Sequence, residues 1–339
     1  MKSDKSHKRV SAKEKTRRTL KKHLGVSLYY LLRDLMNRKD KYLFNKKTFC
    51  AIKAKLAARN GQAIADDLEF IEFLHSQFPH FESEKDDLQN LLTDARTTFD
   101  EISALGVPLE NARILDIGCG YGETLLASNE YGVGFALGID YNPECRNVFE
   151  KLKSNFEPSK VEHTNYLSCD FLSSELESDS FDVVISIASF EHYDDPVAVL
   201  KACHCALRKG GYLFAQFDPL FLSPFGAHRF GTSGTPYIQN LFSDQTVFEF
   251  LAGKRADALI HPSKKTQLSI KDPYAEMNRW TVRQFDELFS QPDQWEVVSY
   301  RRRQIYKYYF MYLLFRTELA KFAEEDLFTA GITILLRKK

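Results

Sequence analysis

The sequence predicts an α/β protein in which helices cover both faces of a mostly parallel sheet. From residue 112 onward, short runs that are almost entirely apolar alternate with helix-like stretches, which is the pattern of buried parallel strands and their crossover helices. The regular alternation stops after Phe217, and the first hundred residues have a purely helical composition. We therefore expect a doubly wound core that follows a helical region and carries an insertion.

Four runs are the strand candidates of this core. They are ARILDIG (112–118), FALGID (135–140), FDVVISIAS (181–189) and GYLFAQF (211–217). The stretches between them predict helices at GETLLASNEYG (122–132), NPECRNVFEKLKSN (142–155) and DPVAVLKACHCALRKGG (195–211). We expect the last helix to end at its charged residues and its two glycines, as helices commonly do.

The first hundred residues differ from the rest in charge. Residues 1–60 carry 19 Lys and Arg against 4 Asp and Glu, a net charge of +15, so residues 61–339 carry 27 against 42, a net charge of −15. Apolar residues recur at helical spacing in 11–60, with an interruption at Gly25, and again in 62–79 and 85–104. The basic run could pair with the acidic remainder, lie on anionic lipid, follow nucleic-acid phosphates or remain a solvated arm.

After the core, residues 218–242 mix glycine, proline and aromatics without a period, which predicts a ligand-facing loop or lid. Helices are expected behind Ser243 and behind Thr281, where TVRQ has the form of a capping box. WEVVSYRRRQIYKYY (295–309) and GITILLRKK (331–339) predict a final antiparallel strand pair, with a helix between them at about 311–326.

These patterns divide the chain into five predicted regions. They are a basic helical arm (1–60), a helical cap (61–108), the core (109–217), an acceptor loop and helical insertion (218–295), and the last two strands and helix of the sheet (296–339).

The cysteines and the hydropathy pattern argue against several classes of protein. The six cysteines show no Cys-x-x-Cys pair, which favours a reducing, cytoplasmic setting. Cys203-His204-Cys205 cannot easily close one tetrahedral site, so we expect no metal. No apolar run approaches the roughly 20 residues of a membrane-spanning helix, and the N-terminus lacks the apolar core of a secretory signal. We therefore expect no transmembrane segment.

A glycine-rich turn follows the first strand candidate. Gly118, Gly120 and Gly122 are spaced G-x-G-x-G, whereas a dinucleotide fingerprint is spaced G-x-G-x-x-G. The second strand ends in Asp140, which could accept hydrogen bonds from both ribose hydroxyls of a nucleotide. Because dinucleotide-binding folds use the same carboxylate, these two features leave the nucleotide undecided.

A third feature narrows the choice of nucleotide. Asp170 and Phe171 follow the place where a third strand should end, and there a carboxylate can accept from an adenine amine. The ordered segments ILDIGCGYG, GID, CDFL, FDVVISIASFEHYDDP and LRKGGYL resemble those of the class I S-adenosylmethionine-dependent methyltransferase family over about residues 112–217. The resemblance implies a Rossmann-like, seven-stranded, mostly parallel sheet with a C-terminal antiparallel hairpin, and S-adenosylmethionine as the cofactor.

The resemblance also implies which residues bind that cofactor. Asp116 and the glycine turn would lie at its methionine moiety, Asp140 at its ribose, and Asp170 with Phe171 at its adenine. The full predicted set is Asp116, Gly118, Cys119, Gly120, Gly122, Asp140, Tyr141, Asp170, Phe171 and Ser189. Each carboxylate also has a structural alternative: Asp140 could cap the following helix, Asp170 could cap a turn, and Asp116 could bind loop amides.

Methyl transfer from a sulfonium needs alignment above all, and it needs a general base only for a hydroxyl or a protonated amine. Glu191, His192 and His228 are the candidate catalytic residues, placed where the family has its acceptor pocket. His192 is the first choice because an imidazole can accept a proton near neutral pH, and its alternative is a structural role beneath the cofactor. Arg229 could bind an acceptor carboxylate or phosphate.

The leading functional hypothesis is a methyltransferase that acts on a small-molecule or glycan-like acceptor. One rival is an RNA or protein methyltransferase guided by the basic arm, and another is a noncatalytic adenosyl-binding module. Enzymes that methylate base amino groups carry Asn or Asp followed by Pro-Pro-Tyr or Pro-Pro-Phe after the fourth strand, whereas this chain has Ser189-Phe190-Glu191-His192. The acceptor and the oligomeric state are left open by the sequence.

Overall fold

A computed structural model describes residues 46–78, 88–229, 233–254 and 273–339. Its centre is a seven-stranded sheet of order β3-β2-β1-β4-β5-β7-β6. The strands are β1 (Arg113–Ile117), β2 (Phe135–Asp140), β3 (Thr164–Ser168), β4 (Phe181–Ile187), β5 (Leu207–Phe217), β6 (Trp295–Gln304) and β7 (Thr329–Lys338). The first five strands are parallel, and β7 runs antiparallel between β5 and β6. The predicted fold class is therefore confirmed.

The described helices are numbered here in chain order. They are α1 (Lys46–Ala58), α2 (Leu68–Gln77), α3 (Leu88–Ala104), α4 (Glu123–Ala127), α5 (Pro143–Lys153), α6 (Pro158–Val161), α7 (Pro196–Ala206), α8 (Ile238–Leu241), α9 (Asp244–Lys254), α10 (Val282–Phe289), α11 (Tyr309–Leu314), α12 (Arg316–Leu319) and α13 (Glu324–Phe328). Short 3₁₀ turns cover Ser128–Tyr131 and Phe171–Ser173.

Alternating side chains divide the sheet between two apolar clusters. Leu115 and Ile117 of β1 belong to one cluster, which α7 and α10 complete. Ile114 belongs to the other, which α3, α4 and α5 complete. Because both faces are covered, β4 is buried along almost its whole length, as its continuous apolar run predicts.

A third cluster forms a separate lobe, called here the cap lobe. It combines apolar side chains of α1 and α2, of residues 221–251, and of the segment from Tyr308 to Phe328. The helices predicted in the first hundred residues thus pack in two places, since α3 lies against the sheet whereas α1 and α2 lie in the cap lobe. The five-region division of the chain stays a prediction.

Three predicted element boundaries are wrong. The helix predicted over 195–211 ends at Ala206, because Leu207 is already extended and pairs with Phe181 as the start of β5. The strand predicted over 295–309 ends at Gln304. The helix predicted at about 311–326 is three short helices, and Phe315 leaves the helical conformation between the first two.

Two further helices are shorter than their apolar patterns predicted. The helix expected over 62–79 spans only Leu68–Gln77 and begins at Asp67, whose carboxylate accepts from the Phe70 N–H at 2.8 Å. The stretch 122–132 is α4 followed by a 3₁₀ turn. The helix behind Ser243 and the Thr281 capping box are confirmed.

The basic arm predicted for residues 1–60 lies outside the described residues up to position 45, and α1 is its described part. Within the described part of the chain, no helix has both the length and the apolar character that crossing a membrane requires.

Candidate functional site

The predicted site residues converge at the carboxyl ends of neighbouring strands. Chain order reverses at β1, since β2 and β3 lie on one side of it and β4 and β5 on the other. Such a switch point opens a crevice between the loops, where open α/β sheets bind ligands. The glycine turn follows β1, Asp140 ends β2, and Ser189 follows β4.

The three glycines of the turn all adopt positive φ, at 69° for Gly118, 52° for Gly120 and 72° for Gly122. Their surroundings differ. A Cβ at Gly118 would lie 2.3 Å from the Ser189 Oγ, and one at Gly122 would lie 2.4 Å from the Phe149 ring. At Gly120 a Cβ would meet no atom within 4 Å, so this glycine presents its bare backbone to the open side of the turn.

Hydrogen bonds from the turn to β2 hold it in place. The Gly118 and Cys119 N–H groups donate to the Ile139 carbonyl at 2.8 and 3.2 Å. The Gly120 N–H donates to Asp140 Oδ2 at 3.1 Å. The turn therefore lies across the end of β2 and brings Gly120 next to the Asp140 carboxylate.

Asp140 supports the start of the following helix through Asn142, and its role at the ribose stays a prediction. Its Oδ1 accepts from the Asn142 N–H at 2.8 Å, and Asn142 in turn caps α5 by accepting from Glu144. Each carboxylate oxygen thus has one backbone donor and retains a second lone pair. Burial raises the pKa of Asp140, and the N–H groups of Asn142 and Gly120 act in the opposite direction.

Asp116 lies at the end of β1, with 2% of its surface exposed. Burial raises its pKa well above the ordinary value, the Glu123 carboxylate adds to this shift, and the Thr124 hydroxyl opposes it. A positively charged ligand group beside Asp116 would stabilise its ionised form. A buried acid of this kind suits the ammonium or sulfonium of the predicted cofactor.

The predicted adenine edge lies beyond β3. Asp170 is exposed and caps the following 3₁₀ turn by accepting from the Leu172 N–H and the Ser173 hydroxyl, both at 3.2 Å. The Phe171 ring is only 8% exposed, whereas Leu172 is 45% exposed and Tyr141 is 46% exposed. We therefore expect the exposed Leu172 side chain, rather than the buried Phe171 ring, to contact the adenine.

Ser189 and Tyr193 link the loop after β4 to the glycine turn. The Ser189 hydroxyl donates to the Ile187 carbonyl at 2.9 Å and lies 3.4 Å from the Gly118 carbonyl. The Tyr193 hydroxyl bonds to the Ile117 carbonyl at 3.2 Å. The loop that carries the candidate base is thereby fixed relative to the cofactor side of the cleft.

Glu191 is the most deeply buried of the candidate catalytic residues, with 1% of its surface exposed. Neither of its carboxylate oxygens forms a well-aligned hydrogen bond, although the backbone N–H groups of Glu191 and Asp218 lie close enough to favour its ionised form. Burial raises its pKa well above the ordinary value, and the nearby Asp218 charge adds to the shift. Burial of a weakly partnered carboxylic acid is costly, so Glu191 stays a candidate for a role in chemistry or in ligand binding.

His192 has a defined protonation pattern. Its Nδ1 lies 2.8 Å from the Glu276 carbonyl oxygen, and a carbonyl can only accept, so Nδ1 carries the proton. In the neutral ring, Nε2 then keeps its lone pair. His192 is exposed overall, and partial removal of its ring from water lowers its pKa, which the Glu276 carbonyl partly opposes; the neutral ring therefore predominates at pH 7.

His228 lies beside His192, with ring centroids 5.0 Å apart and planes at 89°. Its Nε2 donates to the Pro219 carbonyl at 2.8 Å. Burial lowers the pKa of His228 to about 4, and the charges of His192 and Arg229 add to the shift. The structure therefore brings together all three residues that the sequence proposed for catalysis.

Two residues of this region were missed by the sequence reasoning. The Glu276 carboxylate forms an ion pair with Arg229 at 2.5 Å, and both side chains are 6% exposed. Asn278 donates through its side chain to the Phe190 carbonyl at 2.6 Å and through its N–H to the Glu191 carbonyl at 3.0 Å. Neither belongs to a recognisable motif, because their partners lie 47 positions away for the Glu276 ion pair and 88 positions away for the Asn278 side chain.

Glu191, His192 and His228 each offer one potential metal-ligating atom, and these atoms all lie within 4.8 Å of one another. A carboxylate with two imidazoles is a set of ligands that zinc and other transition metals accept. The absence of a metal therefore stays a prediction, which treatment with a chelator would test.

Three observations support an adenosyl cofactor as the ligand of this cleft. The turn is open only at Gly120, Asp140 retains acceptor capacity beside it, and Leu172 and Tyr141 are exposed. Asp116, once ionised beside a cationic methionine moiety, would supply the buried negative charge that stabilises it. The individual binding roles of these residues remain predictions.

Comparison with known proteins agrees with this geometry. Residues 115–215 match the family described as methyltransferase domain. Among solved structures, an S-adenosylmethionine-dependent methyltransferase from Mesorhizobium loti is 16% identical over 72% of this chain and 99% of its own, with a TM-score of 0.45. A phosphoethanolamine N-methyltransferase from Haemonchus contortus is 16% identical over 73% of this chain and 52% of its own, with a TM-score of 0.46.

The curated relatives include several ubiquinone biosynthesis O-methyltransferases. Those of Acinetobacter baylyi and Xanthomonas campestris are 25% and 34% identical, and the matches span 66% and 57% of their lengths, less than two thirds. The enzyme of Pseudomonas fluorescens is 30% identical over 49% of this chain and 68% of its own length. With the glycine turn, the strand-end carboxylates and the sheet order, these matches show that the chain belongs to the class I S-adenosylmethionine-dependent methyltransferase family.

Proposed function

We propose that this methyltransferase acts on a hydroxyl oxygen of a small-molecule acceptor and that His192 receives the hydroxyl proton. The observation that carries the proposal is the hydrogen bond from His192 Nδ1 to the Glu276 carbonyl at 2.8 Å. This bond leaves Nε2 as the basic atom of a neutral ring, and the lowered pKa of His192 keeps the ring neutral at physiological pH.

S-adenosylmethionine supplies an electrophilic methyl group on a positively charged sulfur. In the proposed reaction the S–CH₃ bond breaks as the O–CH₃ bond forms, and the hydroxyl proton passes to Nε2 of His192. Proton transfer to a positioned base typically contributes about 10²- to 10⁴-fold in rate. The hydrogen bond from the Tyr193 hydroxyl to the Ile117 carbonyl holds the adjacent His192 in a fixed position relative to the glycine turn.

The charges around His192 favour an acceptor without an anionic group. Arg229 is the cation that the sequence suggested for a carboxylate or a phosphate, but it is paired with Glu276 at 2.5 Å. Two further acidic groups of this region are the buried Glu191 and the partly exposed Asp218, which is paired with Arg303 at 2.9 Å. An anionic group on the acceptor would therefore lie near these acidic side chains, while Arg229 and Arg303 are each already paired with a carboxylate.

The names of the relatives support the oxygen as the methylated atom, because they are O-methyltransferases. A glycan-like acceptor also presents hydroxyls and is included in the proposal. An RNA or protein acceptor would depend on the basic arm, most of which lies outside the described residues. That alternative, like the noncatalytic adenosyl-binding module, has no supporting observation within the described structure.

The test is methyl transfer from isotopically labelled S-adenosylmethionine to a panel of small acceptors: catechol, a sugar, a primary amine and an aromatic carboxylate. We expect labelled methyl ethers from catechol or the sugar. His192→Asn keeps an amide N–H for the Glu276 carbonyl but removes the Nε2 base, so turnover should fall by about 10²-fold or more while cofactor binding is retained.

His204→Asn is the matched control, since His204 contacts Trp295 at 5.1 Å between ring centroids and its pKa is likewise lowered by burial. We expect this variant to have normal turnover. Label found only in an amine or an ester would overturn the hydroxyl acceptor, and full turnover by His192→Asn would overturn the base. Either result would leave the assignment to the family intact.

A further inference from the structure

The carbonyl of Gly120 has a dedicated hydrogen-bond donor on a neighbouring strand. The Tyr166 hydroxyl of β3 donates to it at 2.8 Å. We propose that Tyr166 is a positioning residue, which holds the open backbone of the glycine turn in the conformation that binds S-adenosylmethionine. Nothing in the sequence patterns pointed to Tyr166, because it belongs to a short strand of mixed composition.

The hydroxyl completes the restraint of Gly120 from both sides. The N–H of Gly120 donates to Asp140, and this bond fixes the peptide that precedes the residue. The Tyr166 bond fixes the peptide that follows it. Because Gly120 has φ of 52° and would meet no atom within 4 Å at its Cβ, these two bonds, rather than side-chain packing, determine its orientation.

The strand beneath the turn makes this contact possible. Tyr166 pairs with Gly138 of β2, and a Cβ at Gly138 would lie 2.6 Å from the Cys119 Sγ. The missing side chain at Gly138 therefore lets the turn lie close against the sheet, within reach of a tyrosine hydroxyl from the next strand.

The ring and the hydroxyl of Tyr166 have separable roles. The ring packs 5.1 Å from Phe149 between centroids, and Phe149 fills the space next to Gly122. A Tyr166→Phe substitution keeps this packing and removes the interactions of the hydroxyl, which are with the Gly120 carbonyl and the neighbouring Cys119 thiol, both in the glycine turn. A purely structural role for Tyr166 would survive this change, whereas a positioning role would not.

The inference concerns cofactor binding alone, so it does not depend on the proposed acceptor. The experiment is calorimetric titration of the full chain with S-adenosylmethionine, for the wild type, Tyr166→Phe and Tyr131→Phe. Tyr131 is the matched control, because its hydroxyl also bonds to a backbone carbonyl, that of Arg96 at 3.0 Å, as well as to Asp100, and both partners lie on α3 rather than in the glycine turn. Urea unfolding of all three proteins measures any loss of stability.

We expect Tyr166→Phe to weaken cofactor binding by about three- to tenfold, the usual effect of one hydrogen bond, and Tyr131→Phe to bind as the wild type does. The double variant with Asp140→Asn should lose less affinity than the product of the two single effects, because both bonds act through Gly120. Unchanged binding by Tyr166→Phe, an equal loss in Tyr131→Phe, or fully multiplicative effects would each overturn the proposal.

Discussion

Substitution of Gly120 by alanine separates the backbone requirement of the glycine turn from its role in ligand binding. The added methyl would meet no protein atom within 4 Å, so it creates no clash in the free protein. It would point into the open side of the turn, next to the Asp140 carboxylate that holds the Gly120 N–H. We therefore expect a folded protein that has lost cofactor affinity.

The size of both effects follows from the geometry. An L-residue at positive φ costs roughly 1–2 kcal/mol, so the free energy of unfolding should fall by about that amount. A methyl forced into the space of a closely fitted ligand costs about 1–3 kcal/mol, which corresponds to a Kd raised by about 5- to 150-fold.

Gly106→Ala provides the matched control. Gly106 has φ of 85° and its Cβ would also meet nothing within 4 Å, but it follows α3, away from the cleft. Calorimetric titration and urea unfolding of the two variants should give similar losses of stability and a loss of S-adenosylmethionine affinity only for Gly120→Ala. Equal affinities in the two variants would refute the assignment of the open side of the turn to the cofactor.

Three further predictions concern the acceptor side. Turnover should decline as pH falls, with a midpoint below about 6.5, because the pKa of His192 lies below its ordinary value of 6.5; a midpoint above pH 7 would contradict His192 as the base. Treatment with a chelator should leave turnover unchanged and elemental analysis should find no bound metal; activity lost to the chelator and restored by zinc or magnesium would instead assign the three-residue cluster to a metal. The pKa of His228, lowered from 6.5 to about 4, means that the unfolded chain binds more protons below pH 6.5, so stability is lost as pH falls towards 4. Between about pH 7.5 and pH 5 the wild type should lose about 2 kcal/mol more than His228→Asn, measured by urea unfolding, and a difference that does not change with pH would refute this.

The core of the fold was predictable because its elements are specified locally. Four of the five parallel strands contain an almost entirely apolar run, whereas β3 is of mixed composition, and the Thr281 capping box was predicted directly from four residues. The element boundaries that were predicted wrongly lie where a tertiary contact, and not the local apolar pattern, determines where the helix or strand ends. The helix that ends at Ala206 gives way to β5 because Leu207 pairs with Phe181 across the sheet, a contact that no periodicity within the helix can reveal.

The site was predictable to a similar degree. The glycine turn and Asp140 belong to short ordered motifs, whereas Glu276 reaches His192 across 84 positions through a backbone carbonyl. A carbonyl acceptor is the same for every residue type, so the sequence contains no signal for it. For the same reason, the sequence gives no signal for the role of Tyr166, whose hydroxyl donates to the carbonyl of Gly120.

These backbone contacts connect the two halves of the cleft. The glycine turn is fixed by the end of β2 and by Tyr166, and the loop after β4 is fixed by Tyr193 on one side and by Asn278 on the other. In-line transfer requires the methyl carbon and the acceptor oxygen to be aligned about 3–3.5 Å apart, and such alignment can supply several kcal/mol of the barrier. Because Tyr193 directly follows His192, removal of its hydroxyl should lower the rate of transfer more than it lowers the affinity for either ligand.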